Sequence, residues 1–119
     1  SSTNTPLQAL NMLNDPTILE ASRVMAQKLS MSNGSLEEKI QKAFETILIR
    51  PATRFKKNKL SKYCESQLNV YVQKPALTKE TLAIGEFVQP TTKYNEAEAA
   101  ALMKTILIIY NLEEAITKS

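Results

Sequence analysis

The stretch from Ala97 to Tyr110 limits what this chain can fold into more than any other part of it. Ala97, Ala99, Ala100 and Ala101 permit close packing, and Ile106-Leu107-Ile108-Ile109-Tyr110 then places apolar side chains in every direction around a helix. A helix of that kind has no face to give to solvent. It is therefore expected at the centre of the fold, contacted on several sides, with Asn95 as its cap and Glu96 and Glu98 in its first turn, where carboxylates favour the positive end of the dipole. A strand is the competing reading, since β-branched residues crowd the end of the run. The alanine-rich entry and the lack of an obvious partner strand favour the helix. The apolar stretch is too short for a membrane span and is interrupted by Lys104. Asn111-Leu112-Glu113-Glu114 offers a further turn ending near Lys118.

The rest of the chain reads as helices separated by prolines and caps. Thr5 to Pro16, TPLQALNMLNDP, holds two helix starts in a dozen residues. Thr5 caps, Pro6 takes the first helical position and Gln8 returns to the cap, with Leu7, Leu10 and Leu13 following; Asp15 and Pro16 then repeat the signal. A short helix, a corner and a second helix are expected. Ile18, Ala21, Met25 and Leu29, flanked by Leu19, Ser22 and Ala26, form the apolar stripe of that second helix to about Met31, where Asn33-Gly34 stops it. Ser35-Leu36-Glu37-Glu38 is a capping box, and Leu36, Ile40, Ala43, Phe44, Ile47 and Leu48 keep helical spacing until Arg50-Pro51. Thr53 caps a helix running to Lys74, with Leu60, Tyr63, Cys64, Leu68 and Tyr71 on its inner face. Residues 75–94 read as a long, partly ordered connection, in which Thr78 could start a short helix before Gly85 and Pro90 end it.

The expected architecture is all-α: one domain over residues 1–119, a compact bundle of four to five helices with one long irregular connection near 75–94. Its length of 119 residues, 43% apolar and 23% charged residues fit a single core, and its two glycines and few aromatics point away from β-rich folds. A net charge of +3 is too small to argue for nucleic acid. One cysteine and no histidine exclude an internal disulfide and remove the common zinc, haem and Cys-His catalytic arrangements. Ser1 to Thr5 has neither the basic start nor the apolar stretch of a signal peptide. The abrupt beginning beside a motif suggests the excised C-terminal part of a longer protein.

No residue is assigned a catalytic, cofactor-binding or metal-ligating role, and no cofactor is expected. Arg54, Lys56, Lys57, Lys59 and Lys62 are the one notable charge cluster; such a stripe can follow a phosphate backbone or an acidic membrane. At helical spacing they scatter around the axis, which favours a solvated helix start. Glu37-Glu38, Glu96 with Glu98, and Glu113-Glu114 resemble paired carboxylates, yet each sits at an expected helix start, where capping explains it. Cys64 lies on an apolar stripe and reads as a buried, inert thiol. Tyr63, Tyr71, Tyr94 and Tyr110 could stack on sugars, but core or boundary packing is the better reading. Arg50, pinned by Pro51, could reach Asp15 or Glu113 and tie an end of the chain to its middle.

Four pieces of sequence together resemble a known family: TPLQALNMLNDP, ILEASRVMAQKL, AFETILIRPAT and ALMKTILIIYNLEEAITKS. They are similar to the C-terminal region of the domain of unknown function 1553, PSD type, found beside cytochrome c-like domains in large planctomycete proteins. Its T-P-L-Q-A-L and L-N-D-P motifs match Thr5 to Leu10 and Leu13 to Pro16. Its R-P-x-T element matches Arg50-Pro51 with Thr53, and its closing L-N-x-x-E element matches Asn111-Leu112 with Glu114. Lys56 and Lys57 replace an acidic residue expected after R-P-x-T, and Tyr110 stands where relatives look more like leucine.

The resemblance implies an exported bacterial protein, periplasmic or on the cell surface, linked to polysaccharide use or an envelope redox assembly; it carries no activity over, and no haem motif is present. The leading expectation is a non-catalytic helical scaffold or interaction module whose partner is an upstream domain of the same chain or another protein. Nucleic acid is not expected, and the sequence leaves oligomeric state open. Carbohydrate binding is the alternative, as is support of an upstream active site through Asn11, Asn14 or Arg50.

Overall fold

A computed structural model describes residues 14–118, with side chains as far as residue 112. Five helices follow one another: α1 (Pro16–Met31), α2 (Leu36–Leu48), α3 (Arg54–Gln73), α4 (Pro75–Leu82) and α5 (Glu96–Lys118). Among the described residues there is no strand, and no helix is long and apolar enough to cross a membrane. The start at Thr5 and Pro6, with Gln8, Leu7, Leu10 and Leu13, lies outside the described residues, as does Asn11.

The organising element is α5. It packs against all four other helices, as its all-round apolar run requires. Ala99, Ala100, Ala101, Leu102, Met103, Ile106, Leu107 and Ile109 are buried along it, and the three alanines let neighbouring backbones come close. Fully burying a side chain the size of leucine or isoleucine contributes about 1.5–3 kcal/mol, so this one helix supplies a large share of the core energy. It runs unbroken through Asn111 and Leu112, with no separate final turn.

The caps form where sequence places them. Asp15 accepts from the backbone N–H groups of Thr17 (2.8 Å) and Ile18 (3.3 Å) with Pro16 at the first helical position. Ser35 and Glu38 close a reciprocal capping box, which holds the Glu38 carboxyl below its ordinary pKa through its hydrogen bonds to Ser35. Thr53 accepts from Lys56 N–H at 3.2 Å, and Asn95 accepts from Glu98 N–H at 3.0 Å.

Two features differ from expectation. Residues 75–82 are helical from Pro75 onward, because a first-position proline suits a helix start and the Thr78 hydroxyl donates to the carbonyls of Tyr71 and Lys74. The irregular connection is thereby shortened to residues 83–95. In α1, the fully buried side chains are Ser22, Arg23, Ala26 and Gln27, whereas Ile18, Ala21, Met25 and Leu29 are only half-buried. A polar face turns inward here because its donors find partners in the irregular segment.

Candidate functional site

Arg23 has no exposed surface, yet its guanidinium is almost fully used. Its Nε donates to the carbonyl of Ile84 at 3.0 Å, Nη2 to the carbonyl of Phe87 at 2.8 Å and Nη1 to Gln27 Oε1 at 3.0 Å. Gln27 passes the network on, its Nε2 donating to Gln89 Oε1 at 2.8 Å and to the Tyr94 hydroxyl at 2.9 Å. Gln89 in turn donates to the carbonyl of Leu82 at 2.8 Å. One turn before Arg23, the Glu20 carboxylate accepts the backbone N–H groups of Glu86 and Phe87 and lies 3.8 Å from Arg23 Nη2.

Glu20, Arg23 and Gln27 thus line up along one face of α1 and fasten a segment with no regular structure of its own. Each backbone group they hold would otherwise need water or a ladder partner. Gly85 permits the close approach: its φ is 87°, and a side chain there would overlap the Glu20 carboxyl.

The consequence is outward display of two apolar side chains. Phe87 is 58% exposed and Val88 76% exposed on a segment whose backbone is tied down. Phe87 borders a mainly apolar groove of about 480 Å³ with Ala21, Val24, Met25 and Tyr110, to which Thr17, Glu20 and Lys28 add polar groups. A second cleft of about 330 Å³ joins Phe87 and Val88 to Val24, Met31 and Pro90. A third, about 500 Å³, lies against Lys79, Leu82, Tyr94 and Glu96 and also reaches Phe87. Phe87 borders all three clefts, and Val24, on α1, lines two of them.

The residues singled out from sequence go elsewhere. Arg50 is exposed at the corner after α2 and forms no ion pair among the described residues, while Asp15 spends its carboxylate on capping α1. The suggested Arg50–Asp15 tie is absent; the Glu113 and Glu114 side chains lie outside the described residues. Glu98 accepts from Lys39 Nζ and from the Ser30 hydroxyl, both at 2.9 Å, and Glu96 pairs with Lys79 at 3.2 Å on the surface. These carboxylates join helices. No group of three potential metal-ligating side chains occurs among the described residues.

Cys64 is buried, and burial pushes its thiol up to about 11, with Glu98 and Glu65 adding to the shift and a hydrogen bond with Thr105 opposing it. That is an unreactive thiol. Tyr71 is buried, whereas Tyr63, Tyr94 and Tyr110 are half-buried, with burial also raising the Tyr63 phenol. Tyr71 belongs to the core, and Tyr94 and Tyr110 pack against it while also bordering clefts.

Sequence reasoning missed Glu20, Arg23, Gln27 and Phe87. The available signals were a charged residue between Ser22 and Ala26, and the apolar pair Phe87-Val88 inside an otherwise polar stretch.

No curated protein and no solved structure matches the chain. The model of one family does, over residues 1–64, a span that takes in the T-P-L-Q-A-L, L-N-D-P and R-P-x-T elements and stops before the closing element at Asn111. The chain belongs to the family PSD1, described as a protein of unknown function (DUF1553).

Proposed function

We propose that this domain is a non-catalytic interaction module of a larger exported bacterial protein, and that the surface around Phe87 packs against the polypeptide that precedes α1. The observation that carries the reading is the combination of a fastened backbone with exposed apolar tips. Arg23 and Glu20 immobilise residues 84–87, so Phe87 and Val88 are presented without the entropy cost a free loop would incur on binding. The groove includes Thr17 in the first turn of α1, two residues after the Asp15 cap. Tethering there raises the effective concentration of any upstream domain.

Limited proteolysis of the full-length protein, followed by pull-down of its upstream part with the detached domain, tests this. Retention of the upstream part by the wild-type domain, and its loss with Phe87→Ser and Val88→Ser, supports the module. Clean separation of the wild-type domain without change in the stability of either part overturns it.

A further inference from the structure

We propose that the corner joining α2 to α3 is a docking site for an anionic lipid bilayer, a surface separate from the one around Phe87 and independent of its role. Ile49 ends α2 with φ 57° and ψ 38°, a left-handed conformation that a β-branched residue adopts only at a cost. It is 88% exposed, so no packing against the core offsets that cost. Phe55, on the first turn of α3, is 68% exposed and carries the Lys59 ammonium 5.1 Å from its ring centre. Two bulky apolar side chains thus stand exposed on either side of the turn between α2 and α3.

Charge surrounds them. Between Glu45 and Glu65 the chain carries Arg50, Arg54, Lys56, Lys57, Lys59 and Lys62 and no acidic residue; with those six set aside, acidic residues outnumber basic ones in the rest of the chain. The positive excess of the whole chain is therefore concentrated at this corner. Sequence spacing suggests that the cluster scatters, but the inward face of α3 is occupied by Leu60, Ser61 and Cys64, which leaves Phe55, Lys59 and Lys62 together on the outward face, with Arg50 and Arg54 exposed beside them. Lys57 is turned toward the α2 side, where it shares a shallow cleft with Glu38 and Glu45.

Apolar tips ringed by exposed cations fit the boundary between acyl chains and acidic headgroups, where the tips enter the apolar layer and the cations stay with phosphate. A nucleic acid would use the cations and leave Ile49 without a partner.

Residues 1–119 contain no tryptophan, so in this domain Phe55→Trp gives a single reporter. It is titrated with vesicles of phosphatidylcholine alone and of phosphatidylcholine with one-third phosphatidylglycerol, and in parallel with single-stranded DNA. Expected are a blue shift on the anionic vesicles only, and co-sedimentation that falls as salt rises. Each of Lys59→Gln and Lys62→Gln should lower partitioning about fivefold, from about 1 kcal/mol per cation at the headgroups. Ile49→Ser should lower it severalfold while the circular dichroism stays unchanged. No blue shift on anionic vesicles, unaltered partitioning of Ile49→Ser, or DNA binding in place of vesicle binding each overturns the proposal.

Discussion

Arg23 on α1 donates from Nη2 to the backbone carbonyl of Phe87 at 2.8 Å, joining positions separated by 64 residues in sequence. The same guanidinium holds Ile84 and Gln27, so removing it strands two backbone carbonyls and one side-chain amide oxygen at once. Arg23→Met is expected to cost about 3 kcal/mol or more in urea unfolding, since breaking a buried charged network leaves its partners unsatisfied. Arg23→Lys should not restore it, because an ammonium cannot reproduce the planar fork. Protease cleavage within residues 83–95 should accelerate in both variants.

Gly85 supplies the other half of the clamp. Gly85→Ala introduces a side chain at φ 87° and against the Glu20 carboxyl, and should destabilise by about 1–3 kcal/mol. Thermal denaturation reads the loss. A shift no larger than that of a control alanine at exposed Lys93 would mean that the segment does not need this close approach.

The parts of the fold that local rules govern were legible before the structure. Asp15, Ser35, Thr53 and Asn95 cap because their side chains reach nearby backbone N–H groups, a choice settled within three residues. The central place of α5 followed from its all-round apolar run. The site was not legible in the same way. Arg23 and Gln27 face inward only because carbonyls and amides more than 60 residues away meet them, and no helical periodicity carries that information. The stripe finds Met25 and Leu29, which pack against the core, and its flanking Ser22 and Ala26, which are buried, but hydrophobicity alone gives no reason for Arg23 and Gln27 to be buried beside them. Which members of the basic cluster share the outer face likewise depends on where α3 buries Leu60 and Cys64.

Cys64 gives a stability that depends on pH. Its folded pKa, about 11, lies above the ordinary 9.0, so between these values the unfolded chain has released the proton and the folded chain still holds it. Stability from this group is fully present below pH 9 and is lost as pH rises toward 11, amounting to about 2–3 kcal/mol. Comparing wild type with Cys64→Ala across pH 8–11 isolates the effect: the difference in unfolding free energy between them should shrink by that amount. A difference independent of pH would place the thiol in a more polar setting.

Ile49→Gly should stabilise the fold by about 1 kcal/mol, since glycine enters the left-handed region freely and the side chain it loses is almost wholly exposed. Chemical denaturation measures this. Destabilisation would show that Ile49 makes contacts the exposed geometry does not contain.

The central claim, that Phe87 is a docking residue toward the rest of the native polypeptide, is met most directly by a photoactivatable amino acid placed at position 87 of the full-length protein, with exposed Gln73 as the control position. The expected result is a crosslink from position 87 to a peptide N-terminal to α1, mapped by mass spectrometry and lacking at position 73. Equal and weak labelling from both positions, with no upstream peptide captured, would contradict the account.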